Sequence, residues 1–265
     1  MKKLGLGIVI TVAVLMLSAV AVKAIVFVHA VVEPSGVIVE VPDVAVKHSP
    51  ALKDIEPGTL EKTLFVHYAD GRVISKARTP VCYKLYGVKW NSLPVSYVIH
   101  PDVESGVPGA VFASAETWDS ATSKELFNNT YKIDSSADWD GDPGDYPDGR
   151  NEYSFGNYPE DGVIAVTVLW TGVPTRGRGR QIIEYDVLFD TDFAWQDCSG
   201  GADCTAAMDL QNIATHETGH GVGLADIYNS VCSTVTMYGY SWYGDVGKRT
   251  LEGPDIMGLQ KLYGI

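Results

Sequence analysis

His216, Glu217 and His220 place two imidazoles and a carboxylate in one short run, His216-Glu217-Thr218-Gly219-His220-Gly221-Val222-Gly223-Leu224-Ala225-Asp226. Residues four apart share a helix face, so both imidazoles can address one metal ion while Glu217, one step round, reaches a water bound to it. Zinc lowers the pKa of such a water towards neutrality, and a neighbouring carboxylate can take its proton and pass it to a leaving amine. This is the chemistry of a zinc hydrolase. A catalytic zinc takes three protein ligands and keeps a fourth position open. The other histidines, His29, His48, His67 and His100, all precede this run, so Asp226 is the leading third ligand. Gly223 lies three residues past His220, where a glycine with positive φ can end the helix and let Asp226 fold back to the metal.

Several elements must hold that run in place. From about Ser105 to Leu126, Val107, Val111, Phe112, Ala115, Trp118 and Ala121 recur at helical spacing, which predicts an amphipathic helix laid across a sheet. Alternation at Val95–Ile99 predicts a first strand after Trp90 and Asn91. Gly162–Trp170 and Gln181–Asp190 predict two long strands around a turn at Thr175–Arg180, and Asn151–Phe155 predicts another.

The chain has 265 residues, 46% of them hydrophobic, enough for one domain of ordinary size plus extra segments. Its net charge of -13 argues against a nucleic-acid partner, which wants a basic surface. Residues 1–24 read as an export signal, with Lys2 and Lys3 ahead of an apolar run and small residues around Ala24. That run is also long enough to stay uncleaved as a membrane anchor, and either outcome puts the rest of the chain outside. Residues 25–80 carry β-like runs between prolines and no catalytic motif, and read as a removable pro-segment or an accessory region; residues 81–265 read as the catalytic domain. Cys198 and Cys204 bracket a short loop and look like one disulfide, which leaves Cys82 for Cys232, although the sequence leaves other pairings open.

The pattern HExxHxxGxxD, continued downstream, resembles the signature of the metzincin clan of zinc peptidases. The segment from His216 to Asp226 looks most like the snapalysin type, whose aspartate is the third ligand. Ser233–Tyr240, with Met237, resembles the clan's methionine turn, and Arg249–Leu251 with Asp255–Gly264 resembles the closing helix of a matrixin catalytic domain. The resemblance implies an α+β zincin-like fold: a twisted mixed sheet, an antiparallel edge strand that binds substrate, an active-site helix, a methionine turn and a C-terminal helix. It implies that Met237 packs beneath the metal, that Ile164 and Ala165 of the edge strand pair with an extended peptide substrate, and that Tyr238 and Tyr240 shape its pocket. Val166 and Leu188 stand where many matrixins carry histidine ligands of a second zinc, so one zinc is expected. A matrixin cysteine switch is not evident around Cys82.

The acidic loop Asp134–Asp145 could gather oxygen ligands for calcium, although it does not match an EF-hand. The sequence thus predicts a monomeric, secreted, single-zinc endopeptidase acting on proteins or peptides. The alternative is a catalytically weak secreted module that uses the same cleft to bind peptides, and the intact Glu217 speaks against it.

Overall fold

The computed structural model describes residues 60–69, 81–101, 106–172 and 180–265; the expected signal at 1–24 lies outside them. The strands are β1 (Leu60–Ala69), β2 (Val98–Ile99), β3 (Lys132–Ile133), β4 (Glu152–Gly156), β5 (Val163–Gly172), β6 (Gln181–Asp190), β7 (Trp195–Gln196), β8 (Met208–Asp209) and β9 (Tyr240–Ser241). The helices are α1 (Val107–Asp119), α2 (Leu210–Gly221) and α3 (Gly253–Tyr263). Seven strands form one mixed sheet in the order β3-β2-β4-β6-β5-β1-β9, and β7 pairs with β8 apart from it. This is the expected α+β architecture.

Strands β5 and β6 are antiparallel neighbours, and nearly every residue of both is buried; the apolar composition of β5 dictates this, whereas β6 also buries Glu184, Asp186 and Asp190. Helix α1 buries Val107, Ala110, Val111, Ser114, Ala115 and Trp118, the three-to-four spacing of one face. It ends earlier than the apolar spacing predicts because Asp119 turns the chain back, its Oδ1 accepting the backbone N–H groups of Leu126 and Phe127 at 2.6 and 3.3 Å. The Trp118 indole donates to the Thr215 carbonyl at 2.8 Å and so ties α1 to α2. Both expected disulfides are present, Cys82–Cys232 and Cys198–Cys204.

One expectation is corrected. Strand β5, with Ile164 and Ala165, is not at the edge: β1 pairs with it antiparallel from Leu60 opposite Gly172 to His67 opposite Ala165. No local feature of β5 announces this, because its outer partner comes from about a hundred residues upstream, within the stretch read as a pro-segment or accessory region.

Candidate metal centre

Helix α2 is built from polar residues yet is almost wholly buried, so its side chains need partners. Asp209 caps its start by accepting from the Gln211 N–H. Asn212 donates to Ser241 Oγ at 3.1 Å, Thr215 Oγ1 donates to the Gln211 carbonyl at 2.6 Å, and Thr218 Oγ1 lies 2.8 Å from the Tyr153 hydroxyl. After Gly221 the chain turns at Gly223, whose φ is +95° and where an added Cβ would lie 2.3 Å from the Val88 carbonyl oxygen. Only glycine fits that turn, and the turn returns Asp226 to the helix.

There His216 Nε2 lies 3.1 Å and His220 Nε2 3.5 Å from Asp226 Oδ1. His216 Nδ1 lies 2.8 Å from the Thr236 carbonyl and His220 Nδ1 3.0 Å from the Leu224 carbonyl. A carbonyl only accepts, so each Nδ1 carries a proton and each Nε2 faces Asp226, which pulls His220 upward in pKa against its burial; Nε2 is the atom each ring offers a metal when neutral. Burial pushes His216 down to about 3 and keeps it neutral, the form a metal needs. Burial works against ionising Asp226, but His220 and His216 overcome it and hold the carboxyl well below its usual range. His216 Nε2, Asp226 Oδ1 and Glu217 Oε1 are buried and have no hydrogen-bond partner among the described residues. Ligand atoms of His216, His220 and Asp226 lie within 4.8 Å of one another, a set that fits a tetrahedral zinc with one position left over.

Glu217 sits beside the triad, its Oε2 accepting from Thr167 Oγ1 at 2.5 Å, and burial pushes its carboxyl up to about 7. Met237 is buried against the middle of α2: a Cβ on Gly219, between the two histidines, would lie 2.3 Å from its sulfur. Asp255 holds the turn that carries it, accepting from the Thr236 and Met237 N–H groups at 2.9 and 3.3 Å. The Tyr238 carbonyl accepts from Lys248 Nζ, and Tyr240 in β9 pairs in register with Tyr68. Ile164 and Ala165 are fully buried, with β1 on their outer side.

Sequence reasoning missed three neighbours of this centre. Thr167 lies on β5 and donates to Glu217 Oε2. His67, on β1, is 1% exposed, its ring edge-on to His216 at 4.0 Å between centroids and its Nδ1 3.9 Å from Glu217 Oε1. Lys248 Nζ lies 3.2 Å from His67 Nε2. The alternation Phe65-Val66-His67 was the available signal, since it puts an imidazole and an aromatic ring on one face of a strand.

A second cluster lies across the sheet. Asp140, Glu184 and Asp186 bring carboxylate oxygens within 4.8 Å of one another, with Glu184 and Asp186 fully buried. Glu184 accepts from the Asp148 and Gly149 N–H groups, and Asp186 Oδ1 accepts from the Glu152 N–H at 3.1 Å, while Asp186 Oδ2 has no partner among the described residues. Of the acidic loop only Asp140 joins this cluster; Asp134 is exposed and binds Ser136 and Arg150 instead.

No curated protein matches the chain. The sequence model of the matrixins matches residues 110–264, which contain most of α1, strands β3 to β9, the His216, His220 and Asp226 cluster, the Met237 turn and α3. With more than half of its length matched, and the triad inside the match, the chain belongs to the matrixin family of zinc-dependent metallopeptidases.

Proposed function

We propose that residues 81–265 form the catalytic domain of a secreted endopeptidase in which His216, His220 and Asp226 hold a single zinc and Glu217 is the general base. The observation that carries this reading is the convergence of the buried His216, His220 and Asp226 ligand atoms, two of them without a hydrogen-bond partner among the described residues, beside the partnerless Glu217 Oε1. When bound, zinc supplies the Lewis acidity that polarises a peptide carbonyl and acidifies water. Glu217 Oε1 accepts the proton of the attacking water, and Thr167 fixes the carboxylate by binding Oε2. A base pushed up to about 7 can both accept that proton and return it to the amine nitrogen of the broken bond. The carbonyls of Thr236 and Leu224 hold the two imidazoles in their ligating tautomer. Two disulfides suit an oxidising, extracytoplasmic site of action, and among the described residues no helix is long and apolar enough to cross a membrane.

The test is hydrolysis of unfolded casein by the zinc-loaded chain, both intact and cut between Asp70 and Pro80, because β1 lies over the centre. Hydrolysis that a chelator removes and zinc restores, at one zinc per chain, is the expected result. Val166 and Leu188 face each other across β5 and β6 as buried apolar side chains, so a second zinc has no ligands there. Failure of both zinc-loaded forms on casein and on a diverse peptide library would overturn the peptidase reading.

We also propose that Asp140, Glu184 and Asp186 hold a calcium ion. Burial pushes Glu184 up to about 9, Glu152 to about 8 and Asp140 to about 7, and it lifts Asp186 well above the carboxylate range. The cations near the cluster are Arg150, 2.8 Å from Glu152, and Lys62 on β1; Asp138, Asp145 and Asp148 add further negative charge. Raised folded-state values mean that the folded chain keeps protons the unfolded chain has released. In calcium-free buffer the melting temperature should therefore fall as pH rises from about 4 to about 9. Calcium at about 100 times its Kd should restore about 5–10 °C at pH 8. It should do much less at pH 5, where the carboxyls hold protons. The variant Asp186→Asn should lose the calcium response; an unchanged response in that variant would rule the site out.

A further inference from the structure

We propose that Lys248 is a specificity-determining residue of this peptidase, a buried cation that selects a glutamate or aspartate side chain beside the bond to be cleaved. The inference rests on the peptidase reading and names the substrate class that the cleft takes.

Lys248 is fixed from its backbone outwards. Its N–H donates to Asn212 Oδ1 on α2 at 2.6 Å, and Asn212 Nδ2 in turn donates to Ser241 Oγ at 3.1 Å. The next residue, Arg249, binds Asp209 at the start of α2 and donates to Asp197 Oδ1 at 2.7 Å. Lys248 is 3% exposed, and its Nζ has two partners, the Tyr238 carbonyl and, at 3.2 Å, His67 Nε2. Neither is a carboxylate, and Lys248 forms no ion pair among the described residues. The acidic groups that act on it from outside the metal centre hold other donors. Asp245 accepts from Ser241 Oγ at 2.7 Å and from the Gly247 N–H at 3.0 Å, and Asp255 accepts from the N–H groups of Thr236, Met237 and Glu252. Burial pulls Lys248 down to about 7. A carboxylate brought beside it restores its charge and gains a strong, charge-assisted hydrogen bond.

The groove aims a side chain at that ammonium. His67 stands opposite Ala165, and its one ring bridges Lys248 and the base, with Nε2 towards Nζ and Nδ1 3.9 Å from Glu217 Oε1. A peptide that pairs with Ile164 and Ala165 in place of β1 sets the side chain opposite Ala165 into the same slot, between Glu217 and Lys248. A glutamate oxygen lies about as far from its backbone as histidine Nε2 does, and an aspartate oxygen one carbon less, so either brings an acceptor to Nζ. Glutamine keeps the reach and loses the charge; lysine or arginine sets a second cation beside the first. The slot is internal to the groove, because β1 runs on past it to pair Tyr68 and Ala69 with β9. The carboxylate it takes is therefore a side chain within a peptide and not a chain end.

The experiment gives the cut, zinc-loaded chain a diverse library of peptides amidated at the C-terminus and maps the cleaved bonds by mass spectrometry. Acidic residues should be enriched at one position beside the cut. One good substrate is then remade with glutamate, glutamine or lysine at that position. The glutamate peptide should exceed the glutamine peptide in kcat/KM by about 10–100-fold, and the lysine peptide should be slowest. Lys248→Met should erase the difference between glutamate and glutamine while bound zinc stays at one per chain. Equal cleavage of the two peptides by the wild-type chain would overturn the proposal, as would a preference that survives in Lys248→Met. A second measurement needs no turnover and uses the intact, zinc-free chain, with His67→Glu and His67→Gln each made beside Lys248 and beside Lys248→Met. The melting temperature of His67→Glu relative to His67→Gln should be at least about 3 °C higher with Lys248 present than in Lys248→Met. Absence of that coupling would overturn the proposal whether or not any peptide is cleaved. Coupling without cleavage by any form would overturn the peptidase reading alone and leave Lys248 as the carboxylate-binding residue of the cleft.

Discussion

Replacing Glu217 by glutamine is expected to slow casein hydrolysis by about 10²–10⁴-fold while zinc content stays at one per chain. Glutamine has nearly the same volume, and its amide oxygen can still accept from Thr167 Oγ1, so the buried site keeps its packing and its one fixed hydrogen bond. What is lost is the ability to take a proton, which on this reading is the whole contribution of Glu217. Expressed as a barrier, that loss corresponds to about 3–5 kcal/mol. The comparison is made on the cut chain, with kcat and bound zinc measured on the same preparation. A variant that keeps zinc and keeps turnover within about threefold would place the base elsewhere. Loss of zinc together with turnover would mean that Glu217 helps to hold the metal instead. Its position argues otherwise, because the triad atoms that meet at Asp226 belong to His216 and His220.

The catalytic run was legible because its chemistry is local. Two histidines and a glutamate on one helix turn, a glycine that ends the helix and an aspartate just beyond it need only helical geometry to be placed, and the structure brings them together. The apolar run of β5 was legible for the same reason: continuous burial leaves a compositional mark. β1 was not. Its partner on one side lies about a hundred residues away and on the other still farther, and a pairing between distant segments leaves no mark in either alone. That is why β5 was read as an edge and His67 as one more upstream histidine. The acidic loop was half legible. A count of its carboxylates marks it as a cation candidate, but the strongest partners, Glu184 and Asp186, come from β6, where they looked like strand residues in an apolar run.

Asp226 offers the sharpest test of the metal centre, because a solvated turn aspartate and a zinc ligand respond differently to the smallest change. Asparagine keeps the size and turn propensity of aspartate. If Asp226 served only the turn after Gly223, Asp226→Asn would leave zinc affinity unchanged. As a ligand it supplies the only negative charge in the triad, against two neutral imidazoles, and an amide oxygen replaces that charge poorly. Changes to groups that merely orient a ligand cost about 10–100-fold in metal affinity, so Asp226→Asn should weaken zinc binding by about 10²-fold or more, read by competition with a chelator. Asp226→His separates charge from ligation: it removes the carboxylate but offers a nitrogen of the kind zinc accepts, and it should retain zinc far better than Asp226→Asn. The neighbours have a say as well. His216 and His220 keep their Nδ1 protons on the Thr236 and Leu224 carbonyls whatever stands at 226, so their lone pairs stay aimed at the same point. Zinc affinities falling in the order aspartate, histidine, asparagine would identify the residue as a ligand, whereas equal affinities across the three would return it to the turn and leave the third ligand to be found.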